Sequence, residues 1–417
     1  MNVLTTKNLY INDDNYVMVD LNTYRIFYLT ENLVHALQDK EAVAFSKEEN
    51  DIWQIIQNLK PAQSVNETFY NAIKIHVSNS CNLACKYCYA NGGNYGFQDS
   101  LMTQETADKI LKTIDEWKVF QKLEYITFFG GEPLLAWKII NYICEHTVHR
   151  NVKYLLQTNG TVINEEILEM LKKYDISVTV SIDGPQKVHD FNRIDKNGNG
   201  TFQKVLYNIQ KMKDCGVHVP AIQATLSSEF TNEYSREEIA DIIYELTGVQ
   251  QIKVEFDLEC PQKTGETEQK REIEFFFDRV MKEEYILDND VHKIISTILS
   301  KKYKDYICSA GNGTITVDVS GNLFPCQLFL DNKLMCMGKI GENLFTEAAE
   351  LLKKSRKQPC QRCLAKSTCY LCAATGVNEK ICQSKRSLTE KVLKYMTDLV
   401  YRDKYIEFYN KFKNLCS

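Results

Sequence analysis

No stretch of this 417-residue chain approaches the ~18 consecutive apolar residues of a membrane-spanning helix. Its first residues, Met1-Asn-Val-Leu-Thr-Thr-Lys, lack the apolar core of a secretory signal. A basic surplus is also missing. Lys and Arg number 50 against 55 Asp and Glu, a net charge of −5, which argues against a broad nucleic-acid surface. The expectation is a cytoplasmic protein that partners neither membrane nor nucleic acid. Cysteine is scarce in the middle of the chain, where only Cys144, Cys215 and Cys260 lie between Cys88 and Cys308.

Elsewhere cysteine is abundant. Of 15 in all, three fall within Cys81-Asn-Leu-Ala-Cys85-Lys-Tyr-Cys88 and eight between Cys308 and Cys382. In a long chain without a secretory signal such crowding reads as metal or redox ligation, not disulfide bonding. The spacing CxxxCxxC supplies three thiolates to a [4Fe–4S] cube and leaves its fourth iron without a protein ligand, open to bind a small molecule. The alternative is zinc, which usually takes two cysteine pairs or cysteines with histidines. No such partner lies near these three.

The pattern divides the chain into 1–70, 71–300 and 301–417. In the first part, Asn8–Ile11, Tyr16–Asp20 and Tyr24–Leu29 are β-branched or aromatic runs between Asn/Asp turns, as in a three-stranded meander. Helical stretches follow at Glu31–Gln38 and Lys47–Leu59, closed by Lys60-Pro61. In the second part, strand-like runs at Ile73–Ser78, Glu124–Phe129, Val152–Thr158, Ile176–Ile182, Val217–Leu226 and Gln251–Asp257 alternate with amphipathic helices such as Thr103–Lys118. Six βα units in succession imply an α/β fold with a parallel sheet. The third part is turns and cysteines, closed by one amphipathic helix over Thr389–Phe412.

CxxxCxxC after the first of these strands, followed by Gly130-Gly131-Glu132-Pro133 after the second, resembles the radical S-adenosylmethionine (SAM) superfamily. The resemblance implies a partial (β/α)6 barrel with function at the C-terminal ends of its strands. It also implies that Cys81, Cys85 and Cys88 hold the SAM-binding [4Fe–4S] cluster. By position, Gly130, Gly131 and Glu132 would receive the methionine amino group of SAM. Ser181 and Asp183, in Ser181-Ile-Asp183-Gly184-Pro185, would meet its ribose and nearby polar groups. Arg193 would pair with its carboxylate, as a guanidinium fits that group bidentately. Tyr87 and Tyr89 would lie against cluster or adenine. For Asp183 the competing reading is an ordinary Asp-Gly-Pro turn, and for Arg193 a surface salt bridge.

The tail resembles the SPASM domain, which carries two auxiliary [4Fe–4S] clusters. Carried over by position, Cys308, Cys326 and Cys372 would hold the first, with Cys336 or an open site as the fourth ligand. Cys360, Cys363, Cys369 and Cys382 would hold the second. One departure is that two residues, Tyr370-Leu371, separate the last pair where three are usual. Zinc is again the alternative, though the pairs are tightly spaced for one tetrahedral site. Cys144, Cys215, Cys260 and Cys416 fall outside both patterns and read as simple thiols. Residues 1–70 resemble a small winged-helix-like peptide-recognition domain, with a cap on the barrel as the alternative.

Together these resemblances imply a peptide maturase of the ranthipeptide and sactipeptide type. It would use a 5′-deoxyadenosyl radical to join a cysteine sulfur to carbon in a ribosomally synthesised (RiPP) precursor with a leader. Flavodoxin or ferredoxin would supply electrons. Formylglycine formation in sulfatases is a second outcome, opposed by Gln327 where that group tends to carry an acid after the matching cysteine. Carbon–carbon crosslinking is a third, and a zinc-stabilised peptide-binding protein without catalysis is the reading from another class.

Overall fold

The computed structural model describes residues 3–4, 9–38, 44–59, 69–257, 266–300, 306, 308–354, 360, 363–372, 374 and 379–416. Cys260 and the expected break at Lys60-Pro61 lie outside them.

At the N-terminus, β1 (Val3–Leu4), β2 (Leu9–Asn12), β3 (Val17–Asp20) and β4 (Ile26–Tyr28) form an antiparallel sheet in sequence order. The expected three strands thus gain a fourth, β1, on the outside. Helices Glu31–Leu37 and Lys47–Gln57 follow, the second opened by a reciprocal Ser46–Glu49 capping box. Every residue of β2 and β3 is buried, because both sheet faces are covered. Leu9, Ile11 and Met18 pack on Leu33, Val34 and Leu37. Tyr10, Val19 and Tyr24 pack on Phe276, Phe277 and Val392. Asn12 Nδ2 donates to Thr397 Oγ1 (2.9 Å) and Asp398 Oδ1 (3.0 Å), fastening the sheet to the C-terminal helices.

The main sheet runs β5 (Ala72–Ser78), β6 (Tyr125–Gly130), β7 (Lys153–Thr158), β8 (Ser177–Ser181), β9 (Ala221–Leu226) and β10 (Gln251–Phe256), paired in order and all parallel. It is wider than the six strands expected. β11 (Ile286–Leu287) adds in parallel beyond β10, β12 (Thr314–Val317) in parallel beyond β5, and β13 (Leu323–Phe324) antiparallel to β12, giving nine strands. β12 thereby pairs with the first four residues of β5 at one edge of the six-stranded core, and β11 with the first two of β10 at the other.

Alternation along β5 shows how the sheet sorts its residues. Ile73, Ile75 and Val77 are fully buried against helix Gln104–Glu116 through Ala107, Ile110 and Ile114. Lys74 and His76 turn to the opposite face. On that face Gln157 of β7 donates to Gln223 of β9 (2.7 Å), reaching over β8 between them. The inner wall is therefore polar and the outer wall is the main core.

The single C-terminal helix expected over Thr389–Phe412 is two, Glu379–Tyr401 and Tyr405–Cys416, broken where Asp403 takes a left-handed conformation (φ 57°). Both helices contribute to one core, Val392 and Met396 from the first, Phe408 and Phe412 from the second, and a straight helix presents only one such stripe. Among the described residues no helix is long and apolar enough to cross a membrane.

Candidate active site

β5 delivers the chain to the first cysteine loop. Cys81, Cys85 and Cys88 are all partly buried, and the Cys81 thiol is pushed up to about 12, first by burial and then by Glu132 and the other two cysteines. Burial also raises the Cys85 thiol, with Arg193 opposing. Cys81 and Cys85 thus hold their protons more tightly than a free thiol does, until a metal displaces them. Two N–H groups already face Cys81 Sγ, from Leu83 N (3.4 Å) and Asn159 Nδ2 (3.7 Å). The loop is pinned along its length, with Ala84 N donating to Ile194 O (2.8 Å) and Lys86 N to Asn192 O (3.0 Å).

The glycines after β6 serve this loop directly. Gly131 N donates to Ser78 O and Glu132 N to Ser80 O, both at 2.8 Å. A Cβ on Gly131 would sit 2.5 Å from Ser80 O and 2.7 Å from Gly93 O, closer than real Cβ contacts allow. Backbone lies against backbone there, and only glycine fits. Gly130 is equally confined, since a Cβ on it would lie 2.5 Å from Ser78 O.

Glu132 is fully buried, and its carboxylate is occupied within the protein. Oε1 accepts from Leu134 N (2.9 Å) and Thr158 Oγ1 (2.8 Å), and Oε2 accepts from Asn159 N (2.8 Å). Burial pushes its acid up to about 7 despite these three donors. The side chain thus braces the end of β6 against the end of β7, and through Asn159 reaches Cys81.

Asp183, also fully buried, organises the other side of the loop. Its carboxylate accepts from Tyr87 OH (2.5 Å) and Thr225 N (2.9 Å), and Arg193 Nε lies 3.0 Å from Oδ2. That N–H is not aimed along the contact, so the pair is an ion pair without a well-formed hydrogen bond. Arg193 is 8% exposed, and its guanidinium lies 5.4 Å from the Tyr87 ring centroid. The reading of Arg193 as a surface salt bridge is therefore replaced by a buried one. Burial opposes its charge, but Asp183, Tyr87 and Cys85 together more than restore it. Ser181 is buried at the end of β8, opposite Gln223.

Tyr89 leaves about half of its surface exposed (47%) but encloses its hydroxyl, which meets that of Tyr95 at 3.2 Å. Burial raises both phenols, and the charges of Cys88 and Cys326 act on each. The pair therefore lies near both Cys88 of the first cysteine loop and Cys326 of the tail. Three neighbours were not singled out from sequence. Tyr95 is one. Lys74 is another, with Nζ 3.1 Å from Gln327 Oε1 and its ammonium pushed down to about 8 by burial. Asn82 is the third, accepting from Asn159 Nδ2 (3.0 Å). The signal for Lys74 was present in Ala72-Ile-Lys-Ile-His-Val-Ser78, where polar residues alternate with apolar ones. His76 is fully buried against Tyr95, with ring centroids 4.8 Å apart.

The tail cysteines form two groups. Cys360, Cys363, Cys369 and Cys382 line one enclosed cavity together with Lys354, Lys385 and Arg386. Cys326, its thiol pushed up to about 11 mainly by burial, feels the charges of Cys308 and Cys372. Cys336 Sγ instead reaches the Gly338 carbonyl (3.5 Å). Of the other thiols, Cys144 is buried, Cys215 partly buried and Cys416 exposed. A cube takes one thiolate per iron, so its ligands ring a space instead of meeting at a point. Among the described residues, no three His, Cys, Asp or Glu side chains meet as ligands of a single metal ion. The first loop fits a cluster: three thiols in one turn, N–H donors at Cys81 and a backbone packed too closely for any side chain at Gly131.

Residues 75–253, from β5 to β10, match the Radical SAM superfamily. A protein of Methanocaldococcus jannaschii whose function is uncharacterised is 31% identical over 273 residues, 64% of this chain and 88% of its own length. The radical SAM cyclopropyl synthase of Paramaledivibacter caminithermalis is 28% identical over 284 residues, 61% of this chain but only 57% of that enzyme. The solved structure of native anSMEcpe with bound AdoMet and Cp18Cys peptide shares the fold, with a TM-score of 0.62 at 21% identity over 80% of this chain and 99% of that one. The chain belongs to the radical SAM superfamily, alongside peptide-modifying members.

Proposed function

We propose that this chain is a radical SAM/SPASM maturase that joins a cysteine sulfur of a ribosomally made peptide to a carbon of the same peptide. The observation that carries the reading is the Tyr89–Tyr95 pair, which neighbours both Cys88 and Cys326. A peptide thiol held on the polar inner wall would have the radical-generating site on one side and the first auxiliary site on the other. When bound, the first cluster and SAM supply a carbon-centred radical that takes hydrogen from an unactivated carbon; the protein positions the target.

Cys81, Cys85 and Cys88 would hold that cluster. Gly130, Gly131, the Glu132 backbone, Ser181 and the Asp183–Arg193 pair, with Tyr87 and Tyr89, would hold SAM. Asp183 meets Arg193 at Nε, so the outer nitrogens of the fork are the ones offered to a carboxylate. Cys308, Cys326 and Cys372 would carry the first auxiliary cluster and Cys360, Cys363, Cys369 and Cys382 the second. The leader would dock on residues 1–70. The outer strand β4 and helix Lys47–Gln57 flank a groove lined by Thr23, Arg25, Gln54, Ile55, Asn58 and Leu59, which suits strand addition. A cytoplasmic setting with a flavodoxin or ferredoxin as donor completes the reading.

The cyclopropyl synthase relative favours one alternative, closure of a carbon–carbon bond. Formylglycine formation is opposed by Gln327, which is neutral and already bound to Lys74. The deciding experiment incubates the anaerobically reconstituted chain with SAM, dithionite and a cysteine-containing precursor peptide. A mass loss of two hydrogens with loss of the alkylatable thiol is expected. The same mass loss with the thiol retained means a carbon–carbon link, and no SAM cleavage by an iron-loaded chain sinks the reading.

A further inference from the structure

The four-cysteine cavity of the tail differs from the first loop in its charge. Around Cys81, Cys85 and Cys88 the nearby charges are of both signs, with Arg193 paired to Asp183 and Glu132 acting on Cys81. Around Cys360, Cys363, Cys369 and Cys382 the charged lining residues are Lys354, Lys366, Lys385 and Arg386, all cations. Arg386 Nε lies 3.3 Å from Cys363 Sγ. Lys354, only 2% exposed, donates from Nζ to the Lys366 carbonyl (2.6 Å). Lys385 also pairs with Asp290, which fixes the head of its helix to Asp290–Ser300. The sequence agrees: residues 353–386 carry nine Lys and Arg against one acidic residue, Glu379, in a chain of net charge −5.

We propose that this cage of cations biases a cluster held by Cys360, Cys363, Cys369 and Cys382 towards its reduced state, making it the electron-retaining site of the enzyme. The inference rests on the second auxiliary cluster of the proposed function. A cluster gains one negative charge on reduction, and its potential follows net charge and hydrogen bonds to sulfur. Fixed cations a few ångströms away in a low-dielectric cavity favour that added charge. The chemistry needs such a site. As the carbon–sulfur bond forms, the carbon's hydrogen leaves as an atom, the thiol proton goes to solvent, and one electron remains. An oxidised iron–sulfur cluster takes that electron and is reduced by one. The cations lining this cavity make it a more favourable place for that electron than the first loop, whose Arg193 is paired with Asp183.

The test is an EPR-monitored redox titration of the full reconstituted chain, with the second-site signal assigned by its loss in Cys363→Ala. Arg386→Gln and Lys354→Met should each lower the midpoint by at least tenfold in the reduction equilibrium, about 59 mV for one electron. Arg386→Lys, which keeps the charge, should stay near the parent value. Midpoints unmoved in both neutral variants, with iron retained, overturn the inference, as does an equal shift in Arg386→Lys. Iron lost from both neutral variants but kept in Arg386→Lys supports it. If Cys363→Ala changes neither iron content nor signal, the second auxiliary cluster itself is refuted, a result distinct from failure of the cage.

Discussion

Replacing Asp183 with Asn tests the centre of the candidate site. In the native protein the carboxylate takes the Tyr87 hydroxyl, the Thr225 amide and the charge of Arg193, and both members of the ion pair are buried. Asn keeps an acceptor for Thr225 but turns an N–H₂ towards both Tyr87 and Arg193, which share Oδ2. Arg193 is then a buried cation without its counter-charge. Removing one partner of a buried pair costs about 3–5 kcal/mol, and the misdirected donor adds about 1 kcal/mol. The assay is urea unfolding of the metal-free chain followed by circular dichroism, comparing the parent, Asp183→Asn, Arg193→Met and the double variant. The double variant should be more stable than the sum of the singles implies, by about 2 kcal/mol or more, because it removes the stranded charge. A loss below about 1 kcal/mol for Asp183→Asn, or strict additivity, would refute the claim that this pair holds the cysteine loop in place.

Glu132 gives a pH signature. Its acid is raised from the ordinary carboxylate value to about 7 in the folded state, so between those values the folded chain binds more protons than the unfolded one. Its contribution is greatest below the unfolded value and falls as pH rises through about 7, by about 3 kcal/mol in all. Glu132→Gln should flatten that part of the stability–pH curve measured by urea midpoint. Gly131→Ala places a Cβ against the backbone of Ser80 and Gly93, so reconstituted iron should drop by one cluster's worth while the tail clusters remain. Cys336→Ala should leave iron content unchanged, whereas Cys326→Ala should lower it, since Cys308 and Cys372 are the cysteines whose charges act on Cys326.

Much of this was legible in the sequence because it depends on local spacing. Three thiols within eight residues are close in any fold, and β5 to β10 appear as apolar runs that alternate with amphipathic helices. The resemblance to the superfamily rests on the same short motifs. The limits of local reading are equally specific. Thr389–Phe412 reads as one helix because its apolar period continues through the break, and only packing of both halves into one core makes Asp403 turn. β1, β11 and β12 are short strands whose pairing depends on which sheet edge lies beside them.

Chain chemistry by itself determined which residues are able to ligate metal, the order of the βα units and the absence of a membrane-length apolar run. Tertiary structure decided which charges meet. From sequence, Glu132 and Arg193 both read as groups offered to SAM. In the fold the Glu132 carboxylate is filled by three donors from β7 and the turn after β6, and Arg193 is anchored by Asp183. Nothing in the spacing reports that Lys354, Lys385 and Arg386 converge on one cavity, because they come together from segments about thirty residues apart. Local pattern follows from the short reach of backbone and side chain. Burial and Coulomb interaction depend on distance through space, which only the folded chain sets.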